Sequence, residues 1–211
     1  MKASESDGFR LVTVFRSPEE TLLSSWKFTT GLVGMDHEQV PLSNFARLLS
    51  LAGEFDSLYA HYVDCWQRRN HPDVLLLFFD DMKEELGESV RRVAEHLEVD
   101  KDADVIEKVT QQSTLAFMSA PERARRFAVP SELRTQMMAK LGLTEGDMKG
   151  TTELVRRRAA RSGGDVKTLP DAVRLQLRQL WDRIVLPATN RTSVEDMRQH
   201  FRAERARRRG S

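Results

Sequence analysis

Apolar positions along the chain follow two distinct rhythms. Two short runs are apolar almost without interruption: Arg10-Leu-Val-Thr-Val-Phe15 and, after His71-Pro-Asp, Val74-Leu-Leu-Leu-Phe-Phe79. Runs of this length and continuity predict β-strands covered on both faces. Nearly everything else repeats at helical spacing. Ser17-Pro18-Glu19-Glu20 joins an N-cap serine, proline at the first helical position and glutamate three residues after the cap, so a helix should start there and run to about Phe28. Its packing face carries Leu22, Leu23 and Trp26. The amphipathic stretch from Val40 to Trp66 predicts two helices broken near Gly53. Between Glu84 and Leu97, the residues Leu86, Val90, Val93, Ala94 and Leu97 share one helical face. Val105 to Met118 also reads as helix. After Pro170, residues Val173, Leu177, Leu180, Trp181 and Ile184 recur at helical spacing until Pro187 ends the pattern. From Pro121 to Gly164 the chain is polar, and Gly142, Gly146 and Gly150 mark loops.

Two buried-type strands separated by about 60 residues imply a parallel crossover, yet a two-stranded parallel sheet is too small for an ordinary α/β core. Weak strands, another subunit or chain absent here would complete it, and absent chain is the expectation. Composition narrows the picture further. The 211 residues carry 33 Lys+Arg against 32 Asp+Glu, a formal net charge of +1, which gives no bulk electrostatic reason to bind nucleic acid or an acidic membrane. One cysteine, Cys65, excludes an internal disulfide framework and a multi-cysteine zinc site, and fits a reducing compartment. No apolar run approaches the roughly 20 residues a membrane helix needs, and the N-terminus lacks a signal-peptide core. The expectation is one cytoplasmic domain over residues 1–211, with 1–9 and the arginine-rich 202–211 flexible.

Three constellations carry candidate chemistry. In the first, Arg16 ends a strand and a capped helix bearing Ser24 follows at once. An arginine at the carboxyl end of a parallel strand faces the crevice where open α/β sheets hold ligands, and its planar fork suits phosphate. Ser24 stands seven residues beyond Ser17, about two turns or ~10 Å along the axis. The competing assignment makes Arg16 a solvated strand end paired with Glu19 or Glu20. The second constellation is Asp80-Asp81 after the Val74 strand. Adjacent carboxylates diverge and no third ligand sits at metal spacing, so a structural role in helix capping is expected, and no metal. In the third, Arg156, Arg157, Arg158 and Arg161 precede Gly163-Gly164, where accessible backbone N–H groups beside guanidinium suit an anion. Of the histidines, His37 and His61 face a choice between lining an acceptor cavity and packing. His71 reads as a turn residue, and His96 as the polar flank of its helix.

In this order the pieces resemble the carboxyl-terminal two-thirds of a sulfotransferase that uses 3'-phosphoadenosine 5'-phosphosulfate. Arg16 and Ser24 keep the eight-residue interval of the family's 3'-phosphate motif, and Trp66…Pro72-Asp-Val-Leu-Leu-Leu-Phe-Phe-Asp-Asp-Met-Lys83 is similar to its next strand. The resemblance implies a three-layer α/β/α fold with a parallel sheet like that of P-loop NTPases, helix-rich and truncated at the N-terminus. It implies that Arg16 and Ser24 hold the cofactor's 3'-phosphate, that Phe79 stands in the cofactor site where many members have tyrosine, and that Ser113 and Leu115 flank the adenine. Gly163-Gly164-Asp-Val-Lys167 is similar to the family's glycine-Asp-Trp-Lys loop, with Arg158 or Arg161 as its upstream phosphate ligand. The family's Pro-Lys-Ser-Gly-Thr-Thr-like loop for the 5'-phosphosulfate and its catalytic base have no counterpart, since nine residues precede Arg10. The activity implied is sulfuryl transfer to a hydroxyl or amine of a small-molecule acceptor, in a protein able to form homo-oligomers. The alternative is a catalytically incomplete nucleotide-binding or interaction module. A kinase is disfavoured because no Gly-x-x-x-x-Gly-Lys-Ser/Thr loop occurs.

Overall fold

The computed structural model describes residues 9–33, 39–99, 102–120, 132, 135, 136, 139 and 166–209. Its chain divides into two compact units. The first comprises Met1–Ser17, Phe55–Thr110 and Arg178–Ser211; the second comprises Pro18–Glu54 and Gln111–Leu177.

In the first unit the two apolar runs form strands β1 (Leu11–Phe15) and β2 (Val74–Phe78), paired in parallel with Leu11 opposite Val74 and Phe15 opposite Phe78. The side-by-side pairing expected from the sequence is what the structure has, and the α/β class follows from it. One expectation needs correction. β1 is covered on one face only: Thr13 and Phe15 are buried, whereas Leu11, Val12 and Val14 are exposed among the described residues. Period-two alternation puts Val12 and Val14 on the open face, while Leu11, on the same side as Thr13 and Phe15, is exposed at the start of the strand. Helix α3 (Glu54–Gln67) packs on the buried face through Tyr59, Tyr62, Cys65 and Trp66. Phe15 meets Tyr62 edge-on at 5.0 Å and Phe78 at 5.8 Å, and Tyr62 reaches Trp181 at 5.6 Å. Such tilted aromatic pairs add to the area term because ring edges are positive and faces negative.

After β2 the chain turns directly into α4 (Phe79–Glu84) and α5 (Leu86–Leu97). The buried face of α5 includes Ser89 and Arg92 as well as Ala94, while Leu97 is exposed, so the apolar stripe read from the sequence is displaced. Arg92 is buried because its guanidinium donates to the Leu76 carbonyl at 2.8 Å, which satisfies a backbone acceptor of β2. Helix α6 (Ala103–Gln112) follows.

The second unit is helical. In α1 (Pro18–Val33) Leu22 and Leu23 are buried, and Trp26 donates its indole N–H to the Val40 carbonyl at 2.8 Å. Helix α2 (Leu42–Leu51) buries Leu42, Phe45 and Ala46. The break before α3 falls at Gly53, whose φ of 74° is the left-handed conformation that glycine adopts without a Cβ penalty. The stretch expected as one helix from Val105 to Met118 is interrupted at Ser113–Thr114. The Thr114 hydroxyl accepts from the Phe117 N–H and starts a new turn, α7 (Leu115–Met118). Beyond a 3-10 turn at Val166–Thr168, helix α8 (Asp171–Leu180) buries Val173 and Leu177, and Gln176 donates to Ser50 Oγ at 2.9 Å.

Back in the first unit, Pro187 does not stop the helical path. Trp181–Val185 widens into a π-helical turn, closed by the Leu186 N–H on the Trp181 carbonyl, and α9 (Leu186–Thr189) carries Pro187 in its first turn. Pro187 is tolerated because it stands in the first turn of α9, where a helix has no intrahelical acceptor for the N–H that proline lacks. Asn190, with φ of 54°, ends the segment, and α10 (Val194–Arg209) buries Val194, Met197 and Phe201.

Candidate functional site

Parallel pairing places the carboxyl ends of β1 and β2 at the same end of the sheet. Phe15 pairs with Phe78, so the next residues, Arg16 and Phe79, meet there. The Arg16 guanidinium carbon lies 4.3 Å from the centre of the Phe79 ring. A guanidinium stacked this way keeps its N–H donors in its own plane, directed outward from the ring edge. The Arg16 backbone is also fixed, because the Tyr62 hydroxyl donates to its carbonyl at 2.6 Å. One turn along α4, the Lys83 ammonium stands 5.2 Å from the same ring and 2.6 Å from Asp80. Two cations, one carboxylate and an aromatic face therefore share this end of the sheet.

Asp81 faces elsewhere. Its carboxylate is buried and accepts from Arg198 Nε at 2.6 Å, with the Arg202 guanidinium at 2.5 Å. Arg198 also bonds to Glu84. Burial opposes the charge on Arg198, but its hydrogen bonds to Asp81 and Glu84 outweigh that cost and raise its pKa. The structural role expected of this pair is met at Asp81 by an ion-pair cluster instead of helix capping, while Asp80 pairs with Lys83. Tyr62, Lys83 and Arg198 were not singled out in the sequence. The pairing of Tyr59 with Tyr62 at helical spacing on α3 was a signal available there; the partnership of residues 117 positions apart was not.

The remaining sequence candidates divide by location. Ser24 sits on an exposed position of α1, and Ser113 and Leu115 are exposed around the α6–α7 break. All three belong to the second unit, Arg16 and Phe79 to the first. Arg158, Arg161, Gly163 and Gly164 lie outside the described residues, as does His37. His61 has a packing role. Its Nε2 is 3.0 Å from Thr13 Oγ1, its Nδ1 is 3.5 Å from Cys65 Sγ, and its ring stands edge-on to Phe15. Burial, then the charge of Arg68, lowers the His61 pKa, and burial raises that of the Cys65 thiol against a smaller opposing bond from Thr13. Both groups are thereby kept neutral, which removes the thiolate needed for nucleophilic chemistry. His71 is the turn residue expected, its Nδ1 accepting from the Asp73 N–H at 3.2 Å. Among the described residues no cluster of three or more metal-ligating side chains occurs, and no helix is long and apolar enough to cross a membrane.

Comparison with known proteins identifies the family. The chain is 22% identical over 118 residues to an amine sulfotransferase of Oryctolagus cuniculus, a match covering 56% of this chain and 39% of that protein. It is 25% identical over 85 residues to sulfotransferase 1E1 of Mus musculus, covering 40% and 29% respectively. Among solved structures, mouse sulfotransferase SULT7A1 complexed with PAP superposes with a TM-score of 0.51 at 17% identity, over 83% of this chain and 57% of that one. That likeness is one of fold. The chain thus spans well under half the length of these curated relatives. A family model described as "Sulfotransferase domain" matches residues 2–148. Strand-end arginine, parallel partner strand and sequence match converge, and the chain belongs to the sulfotransferase family.

Proposed function

We propose that this chain forms the 3'-phosphate-binding part of a sulfotransferase that transfers a sulfuryl group from 3'-phosphoadenosine 5'-phosphosulfate to a hydroxyl or amine of a small-molecule acceptor, leaving adenosine 3',5'-bisphosphate. The observation that carries the reading is Arg16 at the carboxyl end of β1, seated on Phe79 at the carboxyl end of the adjacent strand. A planar guanidinium held by an aromatic face and a pinned carbonyl is preorganised for a tetrahedral dianion, which suits the donor set to the nucleotide's phosphate. Ser24, eight residues on, would add a hydroxyl donor. Ser113 and Leu115 would flank the base, and Arg158 or Arg161 with Gly163 and Gly164 would complete the phosphate contacts. Phe79 supplies a ring without the hydroxyl that a tyrosine would bring. The nucleotide contributes the activated sulfuryl group; the protein's part is to bind and orient it.

A second reading takes the chain as a nucleotide-binding or interaction module, in which Arg16 and Phe79 hold a nucleotide whether or not sulfuryl transfer follows. Donors aimed at the leaving phosphate supply much of the stabilisation expected for sulfuryl transfer, so a chain without them would bind nucleotide and not turn over. Calorimetric titration with adenosine 3',5'-bisphosphate tests the shared claim. Heat with a folded wild type, and affinity reduced about ten- to 150-fold by Arg16→Ala, are the expected results, from a charge-assisted bond of about 1.5–3 kcal/mol. No binding by folded protein refutes both readings. Assay of labelled sulfate transfer to simple phenols and amines then separates the enzyme from the module.

A further inference from the structure

At the opposite end of β2 from Phe79 the first unit holds a cleft of about 450 Å³. Its floor is Val74, Leu75 and Leu76, the first residues of the strand, with Phe201 of α10 beside them. The walls are basic. Arg92 and His96 stand one turn apart on α5, and Arg205 and Arg208 follow Phe201 at helical spacing on α10. Arg69 closes the edge, its guanidinium 4.4 Å over the Trp66 ring. Two carboxylates oppose these four arginines: Glu95 in the wall, and Glu204, which accepts from Arg69 at 3.1 Å, Asn70 at 2.9 Å and Arg208 at 3.0 Å. Cationic groups are therefore in excess around an apolar floor.

Two further features mark a built site. Arg92 is buried and fixed by its bond to the Leu76 carbonyl, so its charge is held in place at the floor and not on a mobile stem. His96 Nε2 is buried and has no hydrogen-bond partner. Buried polar atoms are nearly always satisfied, and an exception beside fixed positive charge points to a ligand that supplies the missing acceptor. We infer that this cleft binds an organic oxyanion, a phosphate or sulfate monoester with an apolar body, whose ester oxygens accept from His96 Nε2–H and the α10 arginines while the body lies on Leu75 and Phe201. Phe79, at the start of α4, lies four positions beyond Leu75, about 13 Å along an extended chain, so this ligand and the nucleotide proposed at Arg16 occupy different places. The inference does not depend on the nucleotide reading.

Titration with phenyl phosphate, phenyl sulfate and inorganic phosphate, followed by NMR of the histidine side chains and by calorimetry, tests it. The aryl esters should shift the His96 imidazole resonances and bind more tightly than inorganic phosphate. Tighter binding of the phosphate ester assigns the cleft to phosphomonoesters; tighter binding of the sulfate ester assigns it to sulfated compounds. Arg205→Glu/Arg208→Glu, on the outer turns of α10, should weaken binding at least about tenfold with circular dichroism unchanged, and His96→Phe should weaken it independently. Arg16→Ala should leave ester affinity as in the wild type while weakening adenosine 3',5'-bisphosphate. Absence of a His96 shift, ester binding unchanged in both cleft variants, or ester binding lost with Arg16→Ala would overturn the proposal.

Discussion

Removing the guanidinium of Arg198 should be among the more damaging changes outside the aromatic core. Its side chain is 11% exposed and so is that of Asp81, its 2.6 Å partner, whereas Glu84, which it also binds, is 53% exposed. Breaking a buried pair by deleting one partner costs about 3–5 kcal/mol, chiefly because the survivor is left buried and charged. Arg202 stays near Asp81 at 2.5 Å and offsets part of this, and the exposed Glu84 adds little. Arg198→Ala is therefore expected at the low end, about 3 kcal/mol, or a fall in melting temperature of about 6–12 °C for a chain of this size. Urea denaturation followed by circular dichroism measures it. Replacing both partners, Arg198→Met with Asp81→Leu, should recover most of the loss, since neither charge then remains buried. A loss under about 0.5 kcal/mol in the single variant would show that Asp81 does not need this partner. A double variant no better than the sum of the singles would show that the cost is packing and not charge.

Other consequences are equally measurable. Tyr62→Phe should cost about 1–2 kcal/mol, because the Arg16 carbonyl loses its donor, and should weaken adenosine 3',5'-bisphosphate binding through misplacement of Arg16; unchanged stability and affinity would refute the role. Gly53→Ala meets no atom within 4 Å but forces a Cβ into φ of 74°, so a stability loss of about 1 kcal/mol, measured by urea denaturation, is expected from backbone strain alone. His61 has a folded-state pKa below its ordinary 6.5, so the unfolded chain binds more protons at mildly acidic pH and stability falls as pH drops below that value. His61→Gln should flatten the dependence of the urea midpoint between pH 7 and 5, and an unaltered slope would contradict the assignment. Glu204 acts in the same direction lower down: burial opposes its charge, but Asn70 and Arg69 hold its pKa below the ordinary 4.5, so its contribution is lost as pH falls beneath that value.

Local chemistry explains how much of the molecule the sequence disclosed. The strands were legible because Leu-Val-Thr-Val-Phe and Val-Leu-Leu-Leu-Phe have no competing helical period, and their separation admitted only a parallel crossover. Arg16 was legible as a candidate because strand ends in parallel sheets face one crevice. Its seat on Phe79 needed the register, in which Phe15 and Phe78 are opposite, and register is set by packing that no local pattern records. The Asp81 cluster joins α4 to α10 across more than half the chain, and the helical path through Pro187 includes a π turn for which the sequence has no simple mark. The one-sided cover of β1 was missed because Val12 and Val14, on the open face, are as apolar as Phe15 on the covered one.

The discontinuity of the two units bears on how the protein is made. The chain crosses between them after Ser17, Glu54, Thr110 and Leu177, so neither is a continuous stretch that a protease or a shortened reading frame could release whole. On the ribosome the sheet and α3 emerge about 100 residues before Trp181, Met197 and Phe201, which close over the same aromatic cluster or seal its unit. Nascent β1 and β2 must wait with apolar surface uncovered until α10 has emerged, an interval in which chaperone protection matters more than for a unit built from consecutive residues.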